Sequence, residues 1–143
     1  MPRTTVLLAD DNFAVLDHVR KMLEKGKDCD VVAVISDGSM VVREYLRLRP
    51  DVISLDISMG EISGIDIARQ LRESGCSAKI IFLSVHEDSD YVNAAMGAGG
   101  SAYVVKSRLN MDFFSAIKAV LASKLFVSPS LLYVASENTN PPG

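Results

Sequence analysis

Residues 4–26 read TTVLLADDNFAVLDHVRKMLEKG, and the order of chemistry within them decides the fold. Val6-Leu7-Leu8-Ala9 is a short continuous apolar run, the pattern of a strand buried on both faces rather than one alternating between core and water. Asp10-Asp11-Asn12 interrupts it. Val15, Leu16, Val19, Met22 and Leu23 then recur on one helical face, and Gly26 follows the last turn. One βα unit is therefore predicted, and the same grammar repeats along the chain. Apolar runs at Val31 to Ile35, Val52 to Leu55, Ile80 to Leu83 and Ala102 to Val105 predict four more strands. Helical spacing returns at Phe113, Phe114, Ile117, Val120 and Leu121. Asp37-Gly38-Ser39 precedes a second helix and Pro50 follows it, while Ser63-Gly64 and Gly75 bracket a third. Parallel strands buried on both faces need right-handed helical crossovers. The prediction is a three-layer α/β/α sandwich around an open parallel sheet, with ligands at the strands' C-terminal edge.

At 143 residues, 48% apolar and 23% charged, the chain suits one globular core. A formal charge of −3 supplies no bulk attraction to nucleic acid, so no direct DNA binding is expected of this chain alone. Cys29 and Cys76 make no CxxC or metal spacing, and Arg3, Asp10, Asp11, Asp17 and Arg20 break up any apolar leader. A reducing cytoplasm, packing thiols and no membrane partner follow as expectations. Arg43, Arg47 and Arg49 read as the wet face of the second helix, and His18 has no companions spaced for zinc. After Ser123 the pattern breaks. Residues 1–124 are expected to form the domain, and residues 125–143 a linker or short helix, capped at Ser128-Pro129 and reaching about Val134, with a disordered tail from Ser136.

The chemistry sits where strands end. Asp10-Asp11 follow the first strand, Asp56 ends the third, Ser84 the fourth and Lys106 the fifth, so the fold would gather three carboxylates, a hydroxyl and an ammonium at one edge. Crowded carboxylates repel, and a divalent cation with a preference for hard oxygen donors relieves them, which points to Mg²⁺. A carboxylate beside such an ion can attack a phosphoryl group while a lysine and a hydroxyl hold its oxygens. Each residue alone also has a plain structural use. Asp10-Asp11-Asn12 would cap the first helix, Asp56 would serve as a turn residue, and Lys106 would be a solvated lysine.

The segments LLADDN (7–12), SLDISMGEISG (54–64), IIFLSVHED (80–88) and AYVVKS (102–107) together resemble the receiver domains of two-component response regulators, over roughly Thr4 to Ser123. The likeness is nearest to the nitrate-response type. It implies a flavodoxin-like (βα)5 fold with sheet order 2-1-3-4-5. It also implies Asp56 as phosphoacceptor, Asp11 as a direct Mg²⁺ ligand, Asp10 acting on the metal through water, and Ser58 giving its backbone carbonyl to the metal. Ser84 would close on the phosphoryl oxygens, Lys106 would pair with them, and Tyr103 would be the aromatic that changes rotamer on activation. Ser58 and His86 match positions that tune hydrolysis of the phosphoryl group, and Gly64 matches a loop glycine. The implied partners are a sensor histidine kinase or phosphotransfer protein and a second copy in a homodimer. The implied output is control of transcription through a helix-turn-helix domain lying beyond this chain's end.

Two positions depart from the family pattern. Gly60 follows Met59 where a proline is usual, which leaves the loop more freedom to lose on ordering. Val85 follows Ser84 where Ala or Gly is common and would narrow access for a phosphodonor. The expected function is a phosphorylation switch and not an enzyme in its own right. A phosphatase with an aspartyl nucleophile would want a second Asp where Ser58 stands. A receiver-like interaction module without phosphorylation would not need all five site types. A flavin protein would not put carboxylates in the ADDNFAV loop, where they would repel its phosphate.

Overall fold

The computed structural model describes residues 3–26, 28–129 and 131. Strand β1 (Thr4–Ala9) leads to helix α1 (Phe13–Lys25), then β2 (Cys29–Ile35) and α2 (Val41–Leu48). Strand β3 (Val52–Asp56) runs into a small hairpin, β4 (Ser58–Met59) and β5 (Ile62–Ser63), before α3 (Gly64–Glu73). Then come β6 (Lys79–Ser84), α4 (Ser89–Gly97), β7 (Ala102–Val105), α5 (Leu109–Leu121) and β8 (Phe126–Val127).

The main sheet is parallel throughout, in the order β2-β1-β3-β6-β7-β8. Its first five members realise the expected 2-1-3-4-5 order, the hairpin having taken two labels. Successive side chains of a strand leave by opposite faces, so each continuous apolar run feeds two cores. Val6 and Leu8 of β1 join Leu16, Val19 and Leu23 of α1 and Phe113, Ile117 and Val120 of α5. Leu7 and Ala9 join Val41 and Tyr45 of α2, Ile67 and Leu71 of α3 and Val92 of α4.

The structure corrects three finer expectations. Phe114 and Leu121 do not share the buried face of α5: they are 44% and 48% exposed, because the core stripe runs through Leu109, Phe113, Ala116, Ile117 and Val120. Strand β2 is an edge with one ladder only, so Val31, Val32 and Ala33 are half-buried and Val34 is exposed. After α5 the chain forms a sixth strand, pairing Ala102 with Phe126 and Tyr103 with Val127. The Ser128 hydroxyl then accepts from the Val105 amide at 3.0 Å. Pro129 and Leu131 are helical; the rest of the expected short helix and tail lies outside the described residues. Among the described residues no helix is long and apolar enough to cross a membrane.

Candidate functional site

The topology brings the strand ends together as the sequence implies. Strand β1 sits between β2 and β3, and β3 between β1 and β6, so Asp10 and Asp56 leave adjacent central strands at the same edge. Asn12 takes over the capping of α1, accepting from Ala14 N at 2.9 Å and Val15 N at 3.3 Å. This division of labour leaves both preceding aspartates for the site. Asp10 spends one oxygen, Oδ1, on the Asn12 amide at 2.9 Å.

Asp10, Asp11 and Asp56 each present a carboxylate oxygen within 4.8 Å of the others. Asp10 and Asp56 are 1% and 3% exposed, while Asp11 faces solvent at the mouth. Lys106 reaches in from the end of β7, its Nζ lying 2.9 Å from Asp10 Oδ2 and 3.4 Å from Asp56 Oδ2. One ammonium cannot neutralise three acids. Burial pushes the Asp56 carboxyl up to about 7, the charge of Asp10 adds to the rise, and Lys106 and the Ser58 amide, 3.2 Å from Oδ1, pull against it. Asp10 Oδ2 is buried at ion-pair distance from Lys106 but has no aligned hydrogen-bond partner among the described residues. A buried carboxylate oxygen left with bare lone pairs, among hard oxygen donors in excess of local positive charge, fits a small divalent cation such as Mg²⁺.

Ser84 ends β6, buried, and its Oγ accepts from the His86 amide at 2.9 Å. The Tyr103 ring is wholly buried, and its hydroxyl donates to the His86 carbonyl at 2.9 Å. Burial holds the Tyr103 phenol above its ordinary value. Ser84 and Tyr103 thus meet through the backbone of one residue. The His86 ring itself stacks flat on Tyr91 of α4, centroids 4.0 Å apart and 6° from parallel. Sequence reading missed Tyr91; its offset of five from His86 bridges a loop and the start of a helix, a spacing that signals nothing. Val85, which follows Ser84, and Phe13, the first residue of α1, are 69% and 73% exposed. Ser58 has an exposed side chain, and only its backbone approaches Asp56. His18 is held against α5, its Nε2 2.5 Å from Asn110 Oδ1. Both thiols are buried and free, and burial raises that of Cys29.

Residues 6–118 match the family model of the response regulator receiver domain. The nitrate/nitrite response regulator protein NarP of Escherichia coli is 36% identical over 130 residues, which cover 88% of this chain and 60% of that protein. The uncharacterized transcriptional regulatory protein YvfU of Bacillus subtilis is 29% identical over 136 residues, covering 95% and 68%. This chain therefore spans only part of each relative's length. A crystal structure of a two-component response regulator of the LuxR family from Aurantimonas superposes with a TM-score of 0.92 at 28% identity, covering 98% of this chain and all of that one. The isolated REC domain of RcsB from Salmonella enterica with phosphomimetic BeF3⁻ superposes with a TM-score of 0.85 at 25% identity, covering 92% and 98%.

Proposed function

The chain belongs to the response regulator receiver domain family, and from that premise we propose that it is a phosphorylation switch whose acceptor is Asp56. The observation that carries this reading is the buried Asp56 carboxylate at a central strand end, flanked by Asp10, Asp11 and Lys106. An Asp56 oxygen attacks phosphorus on the phosphohistidine of a sensor kinase or phosphotransfer protein. The new P–O bond forms as the P–N bond breaks, and the imidazole leaves with the electron pair. Lys106 pairs with the incoming phosphoryl oxygens, and Ser84 donates its hydroxyl to them. Asp11, Asp56 and the Ser58 carbonyl, with Asp10 beside them, would hold Mg²⁺. When bound, the ion neutralises charge on the transferring group. Ser58 and His86 flank the acceptor and would set the rate at which water removes the phosphoryl group.

Incubating the protein with acetyl phosphate and Mg²⁺ should give one acid-labile phosphoryl adduct by intact mass, and chelation by EDTA should prevent it. No adduct, or one indifferent to EDTA, overturns the reading.

The phosphoryl group adds about two negative charges and three acceptor oxygens, drawing the Ser84 hydroxyl away from the His86 amide. The turn it releases carries the carbonyl that holds the Tyr103 hydroxyl. A signal would pass in this way from Asp56 to the surface of α4, β7 and α5, and a tenfold shift of population needs only about 1.4 kcal/mol. Beryllofluoride should therefore shift the Tyr103 ring resonances in wild type and leave them nearly unmoved in Ser84→Ala. Unmoved resonances in beryllofluoride-loaded wild type would break this link while leaving acceptance at Asp56 standing. We place the switch in the cytoplasm, upstream of transcriptional control, with homodimer formation and a separate DNA-binding domain as its output.

A further inference from the structure

The segment beyond α5 reaches back toward the phosphoryl site through one buried hydroxyl. Strand β8 lies along β7 as a parallel ladder, the Phe126 amide donating to the Ser101 carbonyl at 3.2 Å and the Ser128 amide to the Tyr103 carbonyl at 2.9 Å. In a parallel ladder each such bond is followed by one returning from the partner strand, so the Val105 amide is the next donor and the Ser128 carbonyl its regular acceptor. That carbonyl is engaged elsewhere, accepting from the Leu131 amide at 2.7 Å as the chain turns at Pro129. The Ser128 side chain fills the gap, its Oγ accepting from the Val105 amide at 3.0 Å. Ser128 is 0% exposed and Val105 2%, so bulk water cannot stand in for the hydroxyl. Successive residues of a strand bond to opposite sides, and an amide aimed at β8 cannot turn to β6 instead.

Val105 is where β7 gives way to the tight turn of residues Lys106–Arg108. The next side chain is Lys106, whose Nζ stands 2.9 Å from Asp10 Oδ2 and 3.4 Å from Asp56 Oδ2. From this geometry we infer that Ser128 is a positioning residue for Lys106: by completing the last rung of β7 it fixes the point from which the lysine leaves for the phosphoryl oxygens, a role that rests on Asp56 being the phosphoacceptor. A lysine is a point charge on a flexible four-carbon stem, so a shift at its root is carried to the ammonium. An apolar side chain in place of Ser128 would leave the Val105 amide buried without an acceptor, and the end of β7 would have to move to find one. Ser128 lies past residue 118, where the match to the receiver family ends, so the site draws on the segment beyond it.

The test compares the whole chain as wild type and as Ser128→Ala, for the rate of labelling by acetyl phosphate in saturating Mg²⁺ and for Mg²⁺ affinity by calorimetry. A misplacement of about 1 Å can cost about a hundredfold in rate, and loss of this one rung is expected to slow labelling about tenfold. Mg²⁺ affinity should weaken by less than about threefold, short of the tenfold or so lost when a partner of the metal ligands themselves is removed. In a Lys106→Ala background the same change should slow labelling by less than about twofold, because no ammonium is left to misplace. Where that background labels too slowly to compare, the split between rate and affinity decides. Should Ser128→Ala prove unfolded on melting, Ser128→Cys takes its place, keeping the shape while offering a weaker acceptor, and should slow labelling in the same sense. An unchanged rate, a rate and an Mg²⁺ affinity that fall together, or equal slowing with and without Lys106 overturns the inference. Wild type giving no adduct overturns the reading of Asp56 instead, so the two failures are distinct.

Discussion

Asp56→Asn is expected to abolish the acetyl phosphate adduct completely and, in EDTA at pH 8, to leave the protein more stable than wild type. Loss of the adduct follows from the loss of the only carboxylate that ends the central strand beside Lys106. The gain in stability follows from the electrostatics of the site without its ion. Burial, then the charge of Asp10, raises the Asp56 carboxyl from 3.8 to about 7. A folded-state value above the unfolded one means that the folded protein binds more protons than the unfolded chain between those limits. Stability therefore falls as pH rises from about 4 through about 7 and is flat above. The full shift corresponds to at most about 4 kcal/mol. Asparagine cannot ionise and escapes the fall, while Lys106 keeps Asp10 as a partner at 2.9 Å. Chemical denaturation in EDTA should show the variant ahead at pH 8 and level with wild type near pH 4. Adding Mg²⁺ should raise wild type and narrow or reverse the gap, because ligand binding to the folded state stabilises it by mass action. Equal stability at pH 8, or an adduct that survives the substitution, would sink the assignment of Asp56.

The elements that were legible in the sequence are those whose chemistry is continuous along the chain. The run Val6 to Ala9 could only be a strand buried on both faces, and its two sets of alternating side chains do enter separate cores. The strand-end residues were legible for a topological reason: in a parallel sheet every C-terminal end reaches the same edge, so Asp10, Asp56, Ser84 and Lys106 need no long-range information to be brought together. What was not legible depends on contacts between distant segments. Phe114 and Leu121 fit a helical spacing, but only the angle at which α5 meets the sheet sets which stripe is buried. Phe126-Val127 is too short to announce a strand, and β8 exists because β7 offers it an open ladder. The stack of His86 on Tyr91 and the Tyr103 bond to the His86 carbonyl likewise have no signature in the spacing of residues. The departure at Gly60, which on sequence alone implies a looser loop, instead accompanies a paired hairpin with Gly60 at φ +73.

Gly64→Ala is expected to be among the most damaging conservative changes in the chain, and backbone conformation is not the reason. Gly64 has no positive φ, so alanine could adopt its backbone without strain. Space is what it lacks: a Cβ there would stand 2.0 Å from the Asp56 carbonyl oxygen and 2.9 Å from the Ile57 Cα, both main-chain atoms that no rotamer change can move aside. The Gly64 amide is also bonded to the Ile57 carbonyl at 2.6 Å, so α3 cannot back away without giving up that bond. Either α3 separates from the end of β3 or Asp56 is displaced. Overpacking of this severity costs about 3 kcal/mol. Displacing Asp56 would also lower Mg²⁺ affinity and adduct yield in the molecules that still fold. Gly97→Ala is the internal control, since a Cβ at Gly97, the last residue of α4, meets nothing within 4 Å among the described residues and alanine is the better helix former. Denaturation midpoints measured side by side should fall sharply for Gly64→Ala and hold or rise slightly for Gly97→Ala. A Gly64→Ala protein within about 1 kcal/mol of wild type would mean that the backbone of β3 and the start of α3 yield easily, and that the approach of α3 to Asp56 does not set the acceptor's position.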